Sequence, residues 1–285
     1  MPSSSTSTLS TQPRRAAAWR LLPLLESVPD PRRARGIRHR LPAILAVAIA
    51  AVAAGARSFT AFGQWAADAE TETLAALGFT GLRAPSESAI RRTFARLDAA
   101  VLDSVMAAWL WTRTHTEGQR RVIAIDGKTV RGARRAERAA PHLVSAFDHA
   151  TGTVLGQLAV AAKSNEIPAV RTLLASFDLT DAVVTVDAMH TQTDTARLIV
   201  EAGGDYVFTV KGNQPSLYAA CKALPWRDVP ARSTTTKNHG RRSTRTIKVV
   251  TAPAWAEFHH TAQVAQLRRT VTRAGKIRRP SRSST

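Results

Sequence analysis

Residues 121–130 read RVIAIDGKTV and residues 182–187 read AVVTVD, and the relation between these two stretches decides the fold. Each is a short β-branched apolar run that closes on an acid, Asp126 in the first and Asp187 in the second. Such runs read as buried strands. Beyond the first lie HLVSAFD (142–148) and TVLGQLAV (153–160), separated by the turn signal Thr151-Gly152, so three consecutive strands are expected to pair antiparallel. The period then changes. Asn165 can cap a helix carrying Ile167, Val170, Leu173, Leu174 and Phe177; after the 182–186 strand, Thr193 opens a helix with Leu198 and Ile199, and residues 206–210 form a fifth strand. The order β-β-β-α-β-α-β predicts an α/β domain with a mixed sheet. A right-handed crossover through the helix at 166–177 would lay the 182–186 strand parallel to the 121–130 strand, so that Asp126 and Asp187 meet at neighbouring strand ends.

Upstream the pattern is helical. Leu21, Leu22, Leu24 and Leu25 mark a short helix within 16–28, stopped by Pro29 and Pro31. LPAILAVAIAAVAAGA (41–56) is too short to span a bilayer and reads as a buried helix. A helix over 59–77 carries Phe62, Trp65 and Ala66 on one face. After Pro85, Ser86 or Ser88 starts another, with Ile90, Phe94, Leu97 and Val101 at helical spacing and Arg91, Arg92 and Arg96 mainly off that stripe. Outward arginines on the second of two helices could enter a DNA groove, so Arg91 and Arg92 are DNA-binding candidates; a solvated helix face is the alternative. The expected divisions are a disordered start at 1–15, an all-α domain over 16–115, the α/β domain over 120–265 and a basic tail, also disordered, over 266–285.

Charge narrows the partner. Forty Lys and Arg stand against 21 Asp and Glu, a formal net charge of +19, which points to a polyanion. From Arg227 onward fourteen Lys or Arg face only Asp228 and Glu257, so +12 of the net +19 falls there. Cys221 stands alone, which excludes an internal disulfide framework and fits a reducing cytoplasm. The polar start MPSSSTSTLSTQ has no apolar signal core, so neither export nor a membrane partner is expected. With 6% aromatic residues and no stacking-aromatic motif, an RNA-binding module is disfavoured.

Paired strand-end carboxylates suit two-metal phosphoryl transfer, because hard divalent cations prefer oxygen ligands and a shared aspartate can hold two ions about 4 Å apart. Asp126 and Asp187 are therefore the candidate catalytic and metal-binding residues. Gly127 would keep the backbone open to substrate, Lys128 could contact a phosphate, and His190, three residues past Asp187, could orient substrate or support a ligand. The competing reading is structural, since Asp-Gly is a common turn and an acid after a strand often binds backbone N–H groups.

These residues lie in motifs that resemble insertion-sequence transposases of the H-repeat-associated type, within the Asp-Asp-Glu group. The motifs are VPDPR (28–32) with RGIRHRL, GARS (55–58), AIDGKTVRG (124–132), KSNEIPAV (163–170), VDAMHTQ (186–192), DYVFTVKGNQP (205–215) and NHGR (238–241). The resemblance implies an RNase H-like catalytic domain, two Mg2+ or Mn2+ ions, nicking that exposes a 3′-hydroxyl, and joining of that hydroxyl to target DNA. It matches Asp126 and Asp187 to the first two triad acids, and adds Lys211 and Arg241 as DNA contacts. Synapsis of two DNA ends implies a homo-oligomer on DNA, in the cytoplasm with the nucleoid. The sequence departs from the family at the third acid: no downstream helix offers a Glu in a Trp- and His-flanked Ile-Glu-Asn setting, and Ser243 stands where many relatives carry an acid in HGRxE. Impaired catalysis is therefore expected, the alternative being a DNA- or partner-binding protein that does not cut.

Overall fold

The computed structural model describes residues 21–35, 37–81, 83–114, 118–133, 139–160, 166–238, 241–253, 258–273, 276–278 and 283–284. The proposed cap Asn165, with Lys163 and Ser164 of its motif, the start at 1–15, residues 16–20, His239 and Glu257 lie outside them. The chain divides into two compact units, Met1–Arg113 and Thr114–Thr285. Among the described residues no helix is long and apolar enough to cross a membrane.

The first unit is built around α1 (Leu41–Ala53), whose Leu41, Ala43 to Ala48 and Ala51 are buried. A helix apolar nearly all round has to sit inside other helices, and its alanines let them come close. Leu21 and Leu25 from a helical turn at 21–25, Ala66 and Ile90 close the same core. The expected helix over 59–77 is two, α2 (Phe59–Asp68) and α3 (Thr71–Ala76), because Ala69 and Glu70 take extended backbone. That break lets Leu74 and Leu77 reach the core. The stripe from Ile90 to Val101 is also divided, between α4 (Glu87–Phe94) and α5 (Ala99–Arg113). Caps set both starts: Ser86 Oγ accepts from Ala89 N at 3.3 Å, and Asp98 Oδ1 from Ala100 N at 2.9 Å.

In the second unit β1 (Val122–Thr129), β2 (His142–Asp148), β3 (Thr153–Val160), β4 (Val183–Val186) and β5 (Asp205–Phe208) form one sheet in the order β3-β2-β1-β4-β5. The first three pair antiparallel, and β1, β4 and β5 run parallel. α6 (Glu166–Leu174) packs on β2 and β3, and α7 (Thr193–Glu201) on β5. Ile123, Ile125, Val144, Ala146, Val184 and Val186 are buried in the core between them.

After α8 (Pro215–Ala223) comes a second sheet from β6 (Arg232–Asn238), β7 (Arg241–Thr251) and β8 (Gln263–Arg273), with the short β9 (Lys276–Arg278) and β10 (Ser283–Ser284) paired to β8. This corrects the expectation of a disordered tail from 266: residues 266–273 are strand, in register with β7 from Arg241↔Arg273 to Thr251↔Gln263. The ladder satisfies their backbone groups, and β-branched Thr and Val between the arginines suit a strand.

Candidate active site

Parallel pairing places the two acids. Val122 faces Val183, Ile123 faces Val184 and Ala124 faces Thr185. Asp126 and Asp187 each lie two residues beyond the last of these pairs, and Asp187 is still in extended backbone (φ −77°, ψ 175°). Because side chains alternate with period two, both acids project to the same face of the sheet, level across strands spaced about 4.8 Å apart. Both are exposed. Asp126 Oδ2 lies 3.3 Å from Lys128 Nζ, two residues along on the same face, and Asp187 Oδ1 accepts from Met189 N at 3.0 Å, which starts the 3-10 turn Ala188–His190.

A loop after β5 is fastened to this turn. Asn213 Nδ2 donates to Ala188 O at 2.8 Å, Gln214 Nε2 donates to Thr191 O, and the buried Thr191 donates through Oγ1 to Thr209 O at 2.8 Å. The exposed Lys211 is thereby carried on a loop held against the Asp187 turn. Asn213 and Gln214 belong to the DYVFTVKGNQP motif, yet their tethering role has no local signature.

The opposite, helix-covered face holds a group that sequence reasoning missed. Glu166, in the first turn of α6, places Oε1 2.5 Å from His142 Nε2 and Oε2 3.3 Å from His190 Nε2. The His142 contact is an ion-pair approach whose ring N–H is not directed at the oxygen. Thr129 Oγ1 and His142 Nδ1 are 3.0 Å apart. His190 is 2% exposed, and its Nδ1 has no hydrogen-bond partner among the described residues. A carboxylate only accepts, so a hydrogen bond to Glu166 has to come from a ring N–H, whereas the threonine hydroxyl can donate to or accept from His142 Nδ1. Glu166 thus links β2, next to Asp126's strand, with the turn that follows Asp187.

Gly127 makes room for this link. A Cβ there would stand 2.5 Å from Glu166 Oε2 and 3.1 Å from His142 Nε2. The expectation that Gly127 frees the backbone for substrate is corrected: its missing side chain faces the Glu166 carboxylate, while Asp126 beside it faces the other way.

The remaining predicted contacts are dispersed. Arg91 pairs with Glu87 (3.2 Å), whereas Arg92 is exposed and has no carboxylate partner among the described residues. Arg241 is partly buried, on a second sheet whose strands β6 to β8 carry Arg or Lys at nine positions and no Asp or Glu. Arg245 sits directly opposite Arg269, both exposed. Like charges so placed repel, and an anion between them relieves that.

A mixed sheet ordered 3-2-1-4-5, with Asp126 on β1 just beyond its parallel pairing with β4 and Asp187 just past the end of β4, defines an RNase H-like domain. Residues 22–110 match the family described as DDE_Tnp_1-associated, and residues 117–271 match the Transposase DDE domain. The chain belongs to this DDE transposase family. It is similar to "Putative transposase YncI" of Escherichia coli (strain K12), 34% identical over 233 residues that make up 79% of this chain and 93% of that one. To "H repeat-associated putative transposase YbfD" of the same strain it is 31% identical over 242 residues, 82% of this chain and 95% of that one. The "Putative transposase YncI" of Escherichia coli O157:H7 is longer: at 34% identity the chain spans 59% of its length. Likeness to a solved piggyBac transposase synaptic complex with hairpin DNA, at 11% identity and TM-score 0.34 over 94% of this chain and 54% of that one, is too weak to bear on function.

Proposed function

We propose that this chain acts on DNA as a transposase, with Asp126 and Asp187 holding divalent metal for strand nicking and transfer of the resulting 3′-hydroxyl. The observation that carries the reading is the matched position of two exposed carboxylates, each two residues beyond the last parallel pair of β1 and β4. Hard oxygen donors side by side fit Mg2+ or Mn2+, two ions at full occupancy, which would supply charge neutralisation at the phosphate and lower the pKa of the attacking oxygen. The other roles fall to the protein. Lys128 and Lys211 attract the DNA backbone beside the acids, and the β6–β8 arginines, Arg241 among them, extend that attraction. Glu166 acts as a positioning residue that steadies His190 and so the turn bearing Asp187.

A second reading is favoured by one observation. Among the described residues no group of three His, Cys, Asp or Glu side chains is arranged to hold a metal, and Glu166 is engaged by histidines on the opposite face. In that reading the chain holds DNA, or a partner copy on DNA, without cutting.

Nicking of a DNA carrying the element's ends, with Mg2+ or Mn2+, separates the two. At equal DNA occupancy Asp126→Ala and Asp187→Ala should each abolish metal-dependent nicking that the unmodified chain performs. Binding by the unmodified chain with no nicking at any metal concentration would leave only the second reading.

A further inference from the structure

We infer that the N-terminal unit carries a second DNA site, a groove that grips the sugar-phosphate backbone of duplex DNA through arginines brought together from separate parts of the chain. The inference rests on the DNA reading above and assigns it a surface outside the acid site. The groove is an open-sided cavity of about 1640 Å3 lined by the five arginines of the 32–40 segment, by Arg83, and by Arg92 and Arg96 from the end of α4 and the turn beyond. Eight guanidinium groups share it, and no Asp or Glu lines it.

Two of the eight are spoken for. Arg40 pairs with Glu26 at 2.8 Å. Arg32 forks onto Asp30, with Nε to Oδ1 at 2.8 Å and Nη2 to Oδ2 at 2.7 Å, and also donates to His39 O at 3.0 Å. The fork folds the segment back so that Arg33, Arg35 and Arg38 are presented on a fixed turn. The His39 ring packs edge-on against Phe79, with centroids 5.3 Å apart, and anchors the turn to the core. Arg33, Arg35, Arg38, Arg83, Arg92 and Arg96 are exposed and have no carboxylate partner among the described residues.

The field of this cluster is felt inside the protein. Burial, and after it the charges of Arg32 and Arg38, hold the His39 imidazole below its ordinary pKa, so the ring stays neutral where an isolated histidine would take up a proton. Gathering like charges in a concavity costs repulsion that an anionic partner removes, and a concave wall focuses the field on that partner.

Size and lining select the partner. The cavity exceeds the roughly 300–1,000 Å3 of a small-molecule pocket. Single-strand sites add aromatic platforms for bases, and here the aromatic lining is His39 and the buried Phe79. What remains is recognition of a phosphate backbone by guanidinium forks, which is independent of base sequence. The helix arginines are sorted by this geometry: Arg92 and Arg96 line the groove, while Arg91 does not and pairs with Glu87.

The test uses the full chain and a fluorescent mixed-sequence DNA duplex of about 30 base pairs, with affinity measured by anisotropy across a salt series. The double variant Arg92→Ala with Arg96→Ala should bind at least about tenfold more weakly and flatten the slope of log K against log salt by about 2, one for each phosphate no longer neutralised. A charge-matched double variant in the same unit but outside the groove, Arg57→Ala with Arg113→Ala, should keep the original slope. Thermal unfolding confirms that both remain folded. An unchanged slope in the groove variant, or equal losses in both variants, overturns the groove while leaving DNA binding intact. Absence of duplex binding by the unmodified chain overturns the groove and the DNA reading together.

Discussion

The N-terminal helical unit and the α/β unit place their charged groups by different physical means. In the α/β unit a strand register does it: the parallel pairing of β1 with β4 runs to Ala124 and Thr185, and Asp126 and Asp187 each follow two residues later on the same side-chain alternation. In the helical unit tertiary packing does it, since nothing in the spacing of Arg38, Arg92 and Arg96 requires them to share a groove. A site written in register is rigid and tolerates few changes. A site made of exposed arginines on a turn and a helix end weakens step by step, one guanidinium at a time.

That contrast is put at risk most severely by the acids. Loss of either Asp126 or Asp187 should reduce nicking by about a thousandfold or more, as expected when several kcal/mol of charge stabilisation disappear together, and combining them should add little. Partial, additive losses in single-turnover nicking would mean that the two acids do not work as a unit.

Gly127→Ala tests the register from behind. Its new Cβ would meet the Glu166 carboxylate and the His142 ring, and side-chain or backbone shifts of this sort cost about 1–3 kcal/mol. We expect a lower Tm for the α/β unit, relieved in part when Glu166→Ala is added. A Gly127→Ala chain as stable as the original, by denaturant unfolding, would show that the link between Glu166 and the histidines yields easily and does not steady the acids.

In the helical unit a comparable single change should be milder. Ser86→Ala removes the cap on α4, the helix that carries Arg92, and should cost about 1 kcal/mol. Chemical unfolding of the helical unit, followed through its tryptophans, reads this directly. A loss well above that figure would mean that the cap organises the Ile90 packing as well as the helix end.

The same difference governs what the sequence makes legible. Asp126 and Asp187 are legible because a β-branched apolar run leads into each acid and the β-β-β-α-β-α-β order implies neighbours; only Asp187 proves to follow a strand end, since β1 continues past Asp126 to Thr129 on its pairing with β2. Glu166 is visible only as a letter of KSNEIPAV: its contact depends on how closely α6 settles on Gly127, a distance that no periodicity carries. β8 escapes because Gln263 to Arg273 has little apolar alternation, and a strand whose exposed face is Arg and Thr looks like a solvated tail until its partner β7 is known. The breaks after Asp68 and Phe94 are hidden for a related reason. The apolar stripe continues across each, and only the cap at Asp98 and the extended backbone at Ala69 and Glu70 reveal the turns.

The smallest expected effect concerns the segment that supports the arginine groove. Hydrogen bonding by Arg32 is the main reason that the Asp30 carboxyl titrates below its ordinary value, with burial opposing and the arginine's charge assisting. A depressed folded-state pKa adds stability that is fully present above the unfolded carboxyl value, near 4, and is lost as pH falls through the lower folded value. Since the pair is only two residues apart and Asp30 is about a third exposed (32%), solvent screening and partial survival of the pairing in the unfolded chain should hold this to less than about 1 kcal/mol. Asp30→Asn should therefore lower Tm slightly at pH 7, and the difference from the unmodified chain should shrink as the pH is taken below 4. A difference that stayed constant down to pH 2 would assign the loss to geometry, with the fork acting through its hydrogen bonds to the turn and its charge contributing nothing. In that case the Arg33–Arg38 turn is held by shape, and the groove should keep its form in acid for as long as the helical core survives.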